Sequence, residues 1–234
     1  MFKGEFKNDR RTGKGTITYA DGSSYKGEWR NDQRNGQGEF VWVGGARYQG
    51  DFRDDQMHGE GSFSWESGAS YSGSWRYNRK NGTGKMVYRD GSSYQGTWKD
   101  DKRHGVGNMQ WRNGTSYEGE FEDDTKHGAG LYTWPNKCTY DGDWDQGQRQ
   151  GHGTVTYPDG STYQGNFKNN LKDGRGIFTF ADGSAYTGMW KNDLKDGKGT
   201  FKWADENKFT GEWVQGEVQQ GILQQKDGSV RKIN

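Results

Sequence analysis

An aromatic-x-Gly-x-aromatic unit recurs ten times in this chain at a spacing of 23 residues. It runs Phe2-Gly4-Phe6, Tyr25-Gly27-Trp29, Tyr48-Gly50-Phe52, Tyr71-Gly73-Trp75 and Tyr94-Gly96-Trp98 in the first half. It continues as Tyr117-Gly119-Phe121, Tyr140-Gly142-Trp144, Tyr163-Gly165-Phe167, Tyr186-Gly188-Trp190 and Phe209-Gly211-Trp213. No insertion or deletion interrupts the first nine copies. A period this strict requires every copy to fold as the same small unit and to bury its apolar side on its neighbours.

With the opening aromatic as position 1, the unit reads as a β-hairpin. Positions 1 to 6 alternate in the two-residue period of a strand, as in Tyr25-Lys26-Gly27-Glu28-Trp29-Arg30. Positions 7 to 11, for example Asn31-Asp32-Gln33-Arg34-Asn35, read as polar turn material. Alternation returns at positions 13 to 19, as in Lys14-Gly15-Thr16-Ile17-Thr18-Tyr19-Ala20. Asx-Gly pairs such as Asp21-Gly22, Asp90-Gly91, Asn113-Gly114, Asp159-Gly160 and Asp182-Gly183 then close it, and such pairs favour two-residue turns with positive φ. The expected fold is all-β: an elongated single-layer antiparallel meander of about twenty strands, one hairpin per repeat. At ~4.8 Å per strand, twenty strands span roughly 95 Å, the dimension of a rod or ribbon.

The register also resolves an odd composition. Leu, Ile, Val and Phe make up only 27 of 234 residues, a share that ordinarily signals disorder. Yet there are 11 Trp and 13 Tyr, and of all aromatic residues only Tyr77 falls off positions 1, 5, 16 and 18. Gly in a strand costs roughly 0.5–1 kcal/mol against Ala, so its recurrence between same-face aromatics needs a reason. Rings from the same face can lie flat on a backbone that has no Cβ, which offsets that cost. This composition excludes a core of Leu, Ile and Val. It also excludes a transmembrane helix, which needs about 20 apolar residues. Met1-Phe2-Lys3-Gly4-Glu5 has no apolar stretch of the signal-peptide kind, and Cys138 is the single cysteine, so a cytoplasmic, reducing location is expected. A net charge of +1 argues against nucleic acid as a partner.

The pattern, for example Tyr163-Gln164-Gly165-Asn166-Phe167 through Gly174 and Gly176 to Asp182-Gly183-Ser184, resembles MORN (membrane occupation and recognition nexus) repeats, which have the same length. The resemblance covers residues 2–230 as ten repeats, starting at 2, 25, 48, 71, 94, 117, 140, 163, 186 and 209, with 231–234 as a tail. One departure is position 8. The family usually has Gly there; this chain has Asp9, Asp32, Asp55, Asn78, Asp101, Asp124, Asn170 and Asp193, with Gly only at Gly147 and Gly216. The resemblance implies scaffolding, docking of partner helices or peptides, and membrane–cytoskeleton attachment. It also implies two further uses of such arrays: dimerisation through C-terminal repeats, and service as a segment of a larger enzyme such as a methyltransferase or lipid kinase.

Catalytic chemistry finds little footing in the residues. His58, His104 and His127 share position 11, where other repeats use Asn or Asp, so a hydrogen-bonding role beside the turn is expected of them. Equivalent positions of adjacent repeats lie two strands, ~9.6 Å, apart, too far to share a zinc. Cys138 sits where most other repeats carry Ser, Thr or Ala and has no evident base, and the Gly-x-Gly pairs recur in hairpins without opening a helix, unlike phosphate loops. The reading is no enzyme, no cofactor and no metal.

Charge is informative by region. Residues 1–116 carry net +5, residues 117–162 net −6, and the remainder net +2. The acidic stretch places Glu118, Glu120, Glu122, Asp141, Asp143 and Asp145 at positions 2, 4 and 6, opposite the aromatic row. These residues are either a solvated sheet face or a docking patch for a basic partner segment or a neighbouring copy; calcium is poorly served, because the carboxylates fan out along separate strands. A basic ladder, Arg11, Arg34, Lys80, Arg103, Lys126, Arg149, Lys172 and Lys195, recurs at position 10. Read as projecting from the turns along one edge, it makes these residues candidates for anionic phospholipid, at roughly 1 kcal/mol per near-surface cation.

The aromatic face is the stronger candidate for a protein partner. Trp42, Trp65, Tyr88, Trp111, Trp134, Tyr157 and Trp203 share position 18 with Tyr19 and Phe180. A single-layer sheet cannot bury one face fully, so this row is expected to line an exposed groove for a helix or extended segment. The ends differ from the middle. Phe2 opens an edge strand with no preceding cap. The tenth repeat loses one residue after Trp213 and gathers Val214, Val218, Ile222, Leu223, Val230 and Ile233, either as a cap or as a homodimer surface. The function expected is a non-catalytic protein-interaction scaffold at a membrane–cytoskeleton site, with a phosphoinositide or anionic-membrane tether, or part of a larger enzyme, as the alternatives.

Overall fold

Right-handed strand twist favours hairpin turns whose two central residues both have positive φ, and Asn and Asp reach that region at low cost. Positions 7 and 8 supply such pairs. In the computed structural model, which describes residues 1–233, Asn8 and Asp9 (φ 52° and 60°) join β1 (Phe2–Lys7) to β2 (Arg10–Thr18). Asn31 and Asp32 (φ 48° and 69°) likewise join β3 (Ser24–Arg30) to β4 (Gln33–Val41). The expected turn over positions 7 to 11 is thus too long: positions 9 to 11 are strand. The Asx-Gly pairs are also not the two-residue turns. Gly22 N–H donates to the Tyr19 carbonyl (3.1 Å), Tyr19 N–H to the Ser23 carbonyl (2.9 Å), and only Gly22 of that pair is left-handed (φ 93°). Asp21 braces this longer turn by accepting from the Ser23 amide and hydroxyl at 2.9 and 2.7 Å.

Repetition of this unit gives an open antiparallel meander of 21 strands, with no helix among the described residues. The chain forms two compact units, Met1–Arg112 with Phe121–Asp124, and Asn113–Glu120 with the residues from Thr125 onward. Both use one register. In the first, Tyr25 pairs with Phe40, Gly27 with Gly38 and Trp29 with Arg34. In the second, Tyr140 pairs with Val155, Gly142 with Gly153 and Trp144 with Arg149. Between the last two pairs the register shifts: Glu28 alone faces Asn35, Gly36 and Gln37. The bulge is possible because position 12 is glycine with positive φ (Gly36, 76°; Gly151, 67°). A Cβ there would strike the position-4 side chain, Glu28 or Asp143.

The core is one face of this sheet. Tyr25, Tyr48, Tyr94, Tyr117, Tyr140, Tyr163 and Tyr186 are 0% exposed. Each Tyr ring covers the glycines of positions 3 and 14, and a Cβ on Gly38 would fall on the Tyr25 hydroxyl. The Tyr25 hydroxyl donates to the Glu28 carbonyl at 3.0 Å, which satisfies the one polar atom of the ring. Tyr25 meets Trp29 of its own hairpin edge-on at 5.2 Å and Phe52 of the next at 5.1 Å. Tyr140 repeats this with Trp144 and Phe167 at 5.2 and 5.0 Å. Such pairs add ~0.5–1.5 kcal/mol each beyond their buried area, so the stack propagates from hairpin to hairpin.

The tenth repeat, Lys208–Val214 with Glu217–Gln224, keeps the hairpin but loses its residue from the bulge, where Glu212 pairs with Gln220. The expected tail is strand: Val230–Ile233 pairs with Gln224–Gly221. Asn234, the last residue of that tail, lies outside the described residues. The aliphatic residues here do not form a single cluster. Strand parity puts Val218, Leu223 and Ile233 on the ring face with Trp213, Phe209 and Gly221, and Ile222 and Val230 on the other.

Candidate partner-binding surface

Because the turn takes only positions 7 and 8, position 10 sits in the strand opposite the position-5 ring. Its side chain therefore lies on the aromatic face and does not project from a turn edge, as the sequence pattern suggested. Arg34 lies 4.9 Å from the Phe40 centroid and 5.4 Å from Phe52. Its Nε pairs with Asp55 Oδ1 at 3.0 Å, while a second guanidinium N–H donates to the Asp55 carbonyl at 2.8 Å. Arg11 with Asp32, and Arg103 with Asp124, repeat the arrangement at 3.0 Å. Lys80, Lys126 and Lys172 set their ammonium groups 4.2, 3.8 and 4.6 Å from the rings of Trp98, Trp144 and Trp190. Lys195 lies 5.0 Å from both Tyr186 and Phe201, and Arg149 lies 5.2 Å from Phe167. The ladder is a row of half-buried cations packed on rings.

Burial depresses the pKa of Lys80, Lys126, Lys172 and Lys195, most for Lys126, which falls to about 8 with Arg149 adding repulsion. Conversely, hydrogen bonds from the Arg11 amide and guanidinium hold Asp32 below the usual carboxylate range. In the sequence the residue at position 8 stands out as a departure from the family's glycine, not as a partner of the ladder. A spacing of 21 residues, position 10 to the next position 8, was the signal that links them.

The position-18 rings occupy the margin of the same face. In the first unit Tyr19, Trp42, Trp65, Tyr88 and Trp111 are half-buried; in the second, so are Trp134, Tyr157 and Phe180, and Trp203 is 39% exposed. They stack with position 16: Phe40–Trp42 at 4.4 Å, Trp42–Phe63 at 5.1 Å and Phe63–Trp65 at 4.5 Å. In the second unit Tyr132–Trp134 and Phe201–Trp203 follow at 4.7 and 4.8 Å. Shallow depressions occur on the opposite face, one lined by Lys14, Lys26, Gln37 and Glu39, another by His152, Arg175, Ile177 and Met189.

The acidic residues point away from the rings, and the bulge uses some of them. Asp143 accepts from the His152 amide at 2.8 Å and Glu120 from the Ala129 amide at 3.4 Å. Glu118, Asp141 and Asp145 are exposed in the second unit, Asp145 lying 3.6 Å from His127 Nδ1; Glu122, in the first unit, is exposed as well. His58 packs edge-on against Tyr77 at 5.2 Å, which accounts for the off-register aromatic. The Nδ1 atoms of His58 and His104 are buried without a hydrogen-bond partner. Burial pushes the Cys138 thiol up, away from thiolate chemistry. Among the described residues no group of three His, Cys, Asp or Glu is placed to hold a metal ion, and no helix is long and apolar enough to cross a membrane.

The MORN repeat family model matches nine consecutive segments, residues 2–24, 25–47, 48–70, 71–93, 94–116, 117–139, 140–162, 163–185 and 186–208. Residues from 209 onward lie beyond the match. No curated protein sequence matches the chain. Among solved structures, it is similar to the TCP domain of SAS-4 (dCPAP) from Drosophila melanogaster in complex with a proline-rich motif of Ana2 (dSTIL). That pair shares 16% identity over 65% of this chain and 84% of the other, with a TM-score of 0.43. The TCP10 domain of Danio rerio CPAP gives 15% identity over 83% and 92%, TM-score 0.47. A CPAP G-box domain gives 14% over 85% and 99%, TM-score 0.48. Likeness at this level transfers nothing about function.

Proposed function

The chain belongs to the MORN repeat family, and on that footing we propose that it is a non-catalytic protein-interaction scaffold whose position-18 ring row receives a helical or extended partner segment. One observation carries the reading. From Tyr25 onward the rings at positions 1 and 5 are buried, whereas Trp42, Trp65, Tyr88, Trp111, Trp134, Tyr157 and Trp203 leave part of their surface to solvent along a margin repeated in each hairpin. Trp and Tyr supply large, rigid contact area at small entropic cost and dominate interface hot spots. A membrane–cytoskeleton setting belongs to the same proposal. An anionic-membrane tether is the competing use of the position-10 cations, but their heads rest on rings and several pair with acids.

Peptides selected from a display library against the intact protein provide the test. Their affinity is expected to weaken at least tenfold, about 1.4 kcal/mol, in Trp65→Ala and Trp111→Ala variants that keep the wild-type circular dichroism spectrum. Unchanged affinity in both variants would overturn the ring row as the binding surface. Flotation with phosphatidylserine vesicles supplies the other arm: salt-sensitive binding lost on charge reversal of Arg34, Arg103 and Arg149 would favour the tether.

A further inference from the structure

The junction between position 10 and the next position 8 is a reciprocal pair. Position-8 N–H donates to the position-10 carbonyl, as from Asp55 to Arg34 at 3.1 Å, and the position-8 side chain accepts from the position-10 N–H. Arg11–Asp32, Arg34–Asp55, Met57–Asn78, Lys80–Asp101, Arg103–Asp124, Arg149–Asn170 and Lys172–Asp193 all show the second bond, at 2.8–3.0 Å. Two junctions depart. Gly147 and Gly216 still donate to the carbonyls of Lys126 and Lys195, at 2.9 and 2.8 Å, so the backbone holds the same turn. Glycine has no side chain, and the acceptor that the other junctions bring is absent from the sequence.

At the first departure the cation is set apart as well. The Lys126 ammonium is held 3.8 Å from the Trp144 centroid, 4.4 Å from Tyr132 and 5.8 Å from Tyr117, and the charged group acting on it is Arg149, which repels it. An amide N–H with a half-buried cation held on rings nearby offers a carboxylate one hydrogen-bond donor and one favourable charge. The junctions that carry Asp show that a carboxylate fits on this amide. Asp101 and Asp193 accept from the Lys80 and Lys172 amides at 2.9 Å while the ammonium groups stay on their rings, and Asp55 takes both the amide and the guanidinium Nε of Arg34. Trp134, stacked on Tyr132 at 4.7 Å, places the position-18 row next to it.

We propose that the Lys126–Gly147 junction, and its counterpart Lys195–Gly216, are carboxylate-receiving notches that dock an acidic side chain of a partner segment lying along the ring margin. The proposal deepens the scaffold reading and rests on it for the partner being a protein. The carboxylate chemistry stands on the junctions alone, so its test does not involve the tryptophans. The chain's own design also says how to close the notch. Gly147 has φ 80° with open space where a Cβ would go, close to the 66–71° of the Asp and Asn residues that fill the other junctions. Gly147→Asp therefore installs the acceptor in the left-handed conformation that Asp already adopts at the other junctions.

The experiment is NMR of the full-length, 15N-labelled protein titrated at constant ionic strength with an acetylated, amidated Gly-Asp-Gly peptide and with sodium acetate. The matching Gly-Asn-Gly peptide and acetamide serve as neutral controls. The expected result is a saturable shift of the Lys126 and Lys195 amide signals with the Asp peptide and with acetate, at least fivefold larger than with the controls. Gly147→Asp should abolish the Lys126 response while leaving that of Lys195, and should move the Lys126 ammonium titration upward from about 8. Equal responses to acidic and neutral probes, or an undiminished Lys126 response in Gly147→Asp, would overturn the notch. A response to acetate with none to the peptide would overturn docking of a partner side chain. None of these outcomes bears on the Trp65 and Trp111 test of the scaffold reading.

Discussion

Two aromatic rows share one face of each hairpin and do different work. The rings of positions 1 and 5 are closed in by glycine backbones and by one another: Tyr94 is 0% and Trp98 4% exposed. The rings of position 18 stack on those of position 16 along the margin and keep one side toward solvent, as Trp42 does between Phe63 and the buried Phe40. Chemically similar side chains thus serve as core where they cover paired glycines or pack edge-on against the rings that do, and as surface at the margin of the face. The cations of position 10 mark the boundary, resting on rings of both rows, as Lys126 does on Trp144 and Tyr132.

Alkaline pH should break this comparison most strongly. Burial raises the pKa of the position-1 tyrosines, to about 12 for Tyr94 and Tyr186, against 10.0 for an ordinary tyrosine. Above pH 10 the unfolded chain loses these protons and the folded chain keeps them. Stability should then fall by roughly 1.4 kcal/mol per pH unit for each tyrosine still neutral in the fold. Lys126 acts in the opposite sense and more weakly. Its folded value of about 8 lies below the ordinary 10.5, so stability gains from it as pH rises between those values. Unfolding by urea followed at pH 9, 10 and 11 is expected to show a steep net loss above pH 10; a flat profile would contradict the buried tyrosine row.

A paired substitution sharpens the distinction at smaller scale. Trp75 is 5% exposed and its Nε1 donates to the Gly61 carbonyl at 3.1 Å. Trp75→Ala should cost about 3–5 kcal/mol in denaturant unfolding, and Trp65→Ala from the margin less than half of that. Equal losses would dissolve the boundary between core and surface rows. Smaller than the Trp75→Ala loss is the effect of Gly61→Ala, whose added methyl would meet the Tyr48 ring. About 1–3 kcal/mol of destabilisation is expected there, read from the same unfolding curves, and no loss would mean that the ring does not bear on the backbone.

Much of this fold was legible in the sequence, because a 23-residue period with alternating aromatics and glycines admits few solutions. The meander, the identity of the core rings and the need for glycine beneath them all follow from parity within single strands, for which the sequence suffices. The candidate surface was legible in part. Position 18 emerged as a row, but whether Trp42 or Trp203 is covered depends on neighbours 21 to 23 residues away. The ladder was misplaced for a local reason: Gln33-Arg34-Asn35 has turn-like composition, and only the left-handed pair Asn31-Asp32 shows that the turn has already ended.

From the sequence alone come the repeat, the hairpin, the aromatic face and the unusual glycines at positions 147 and 216. The tertiary structure decided what lies across from what. In a sheet, a change of one or two residues in turn length reassigns side chains between edge and face. That is why Arg34 belongs to the rings and not to a rim, why Asp55 answers it from the next hairpin, and why a glycine in the place of that acid changes the chemistry of Lys126.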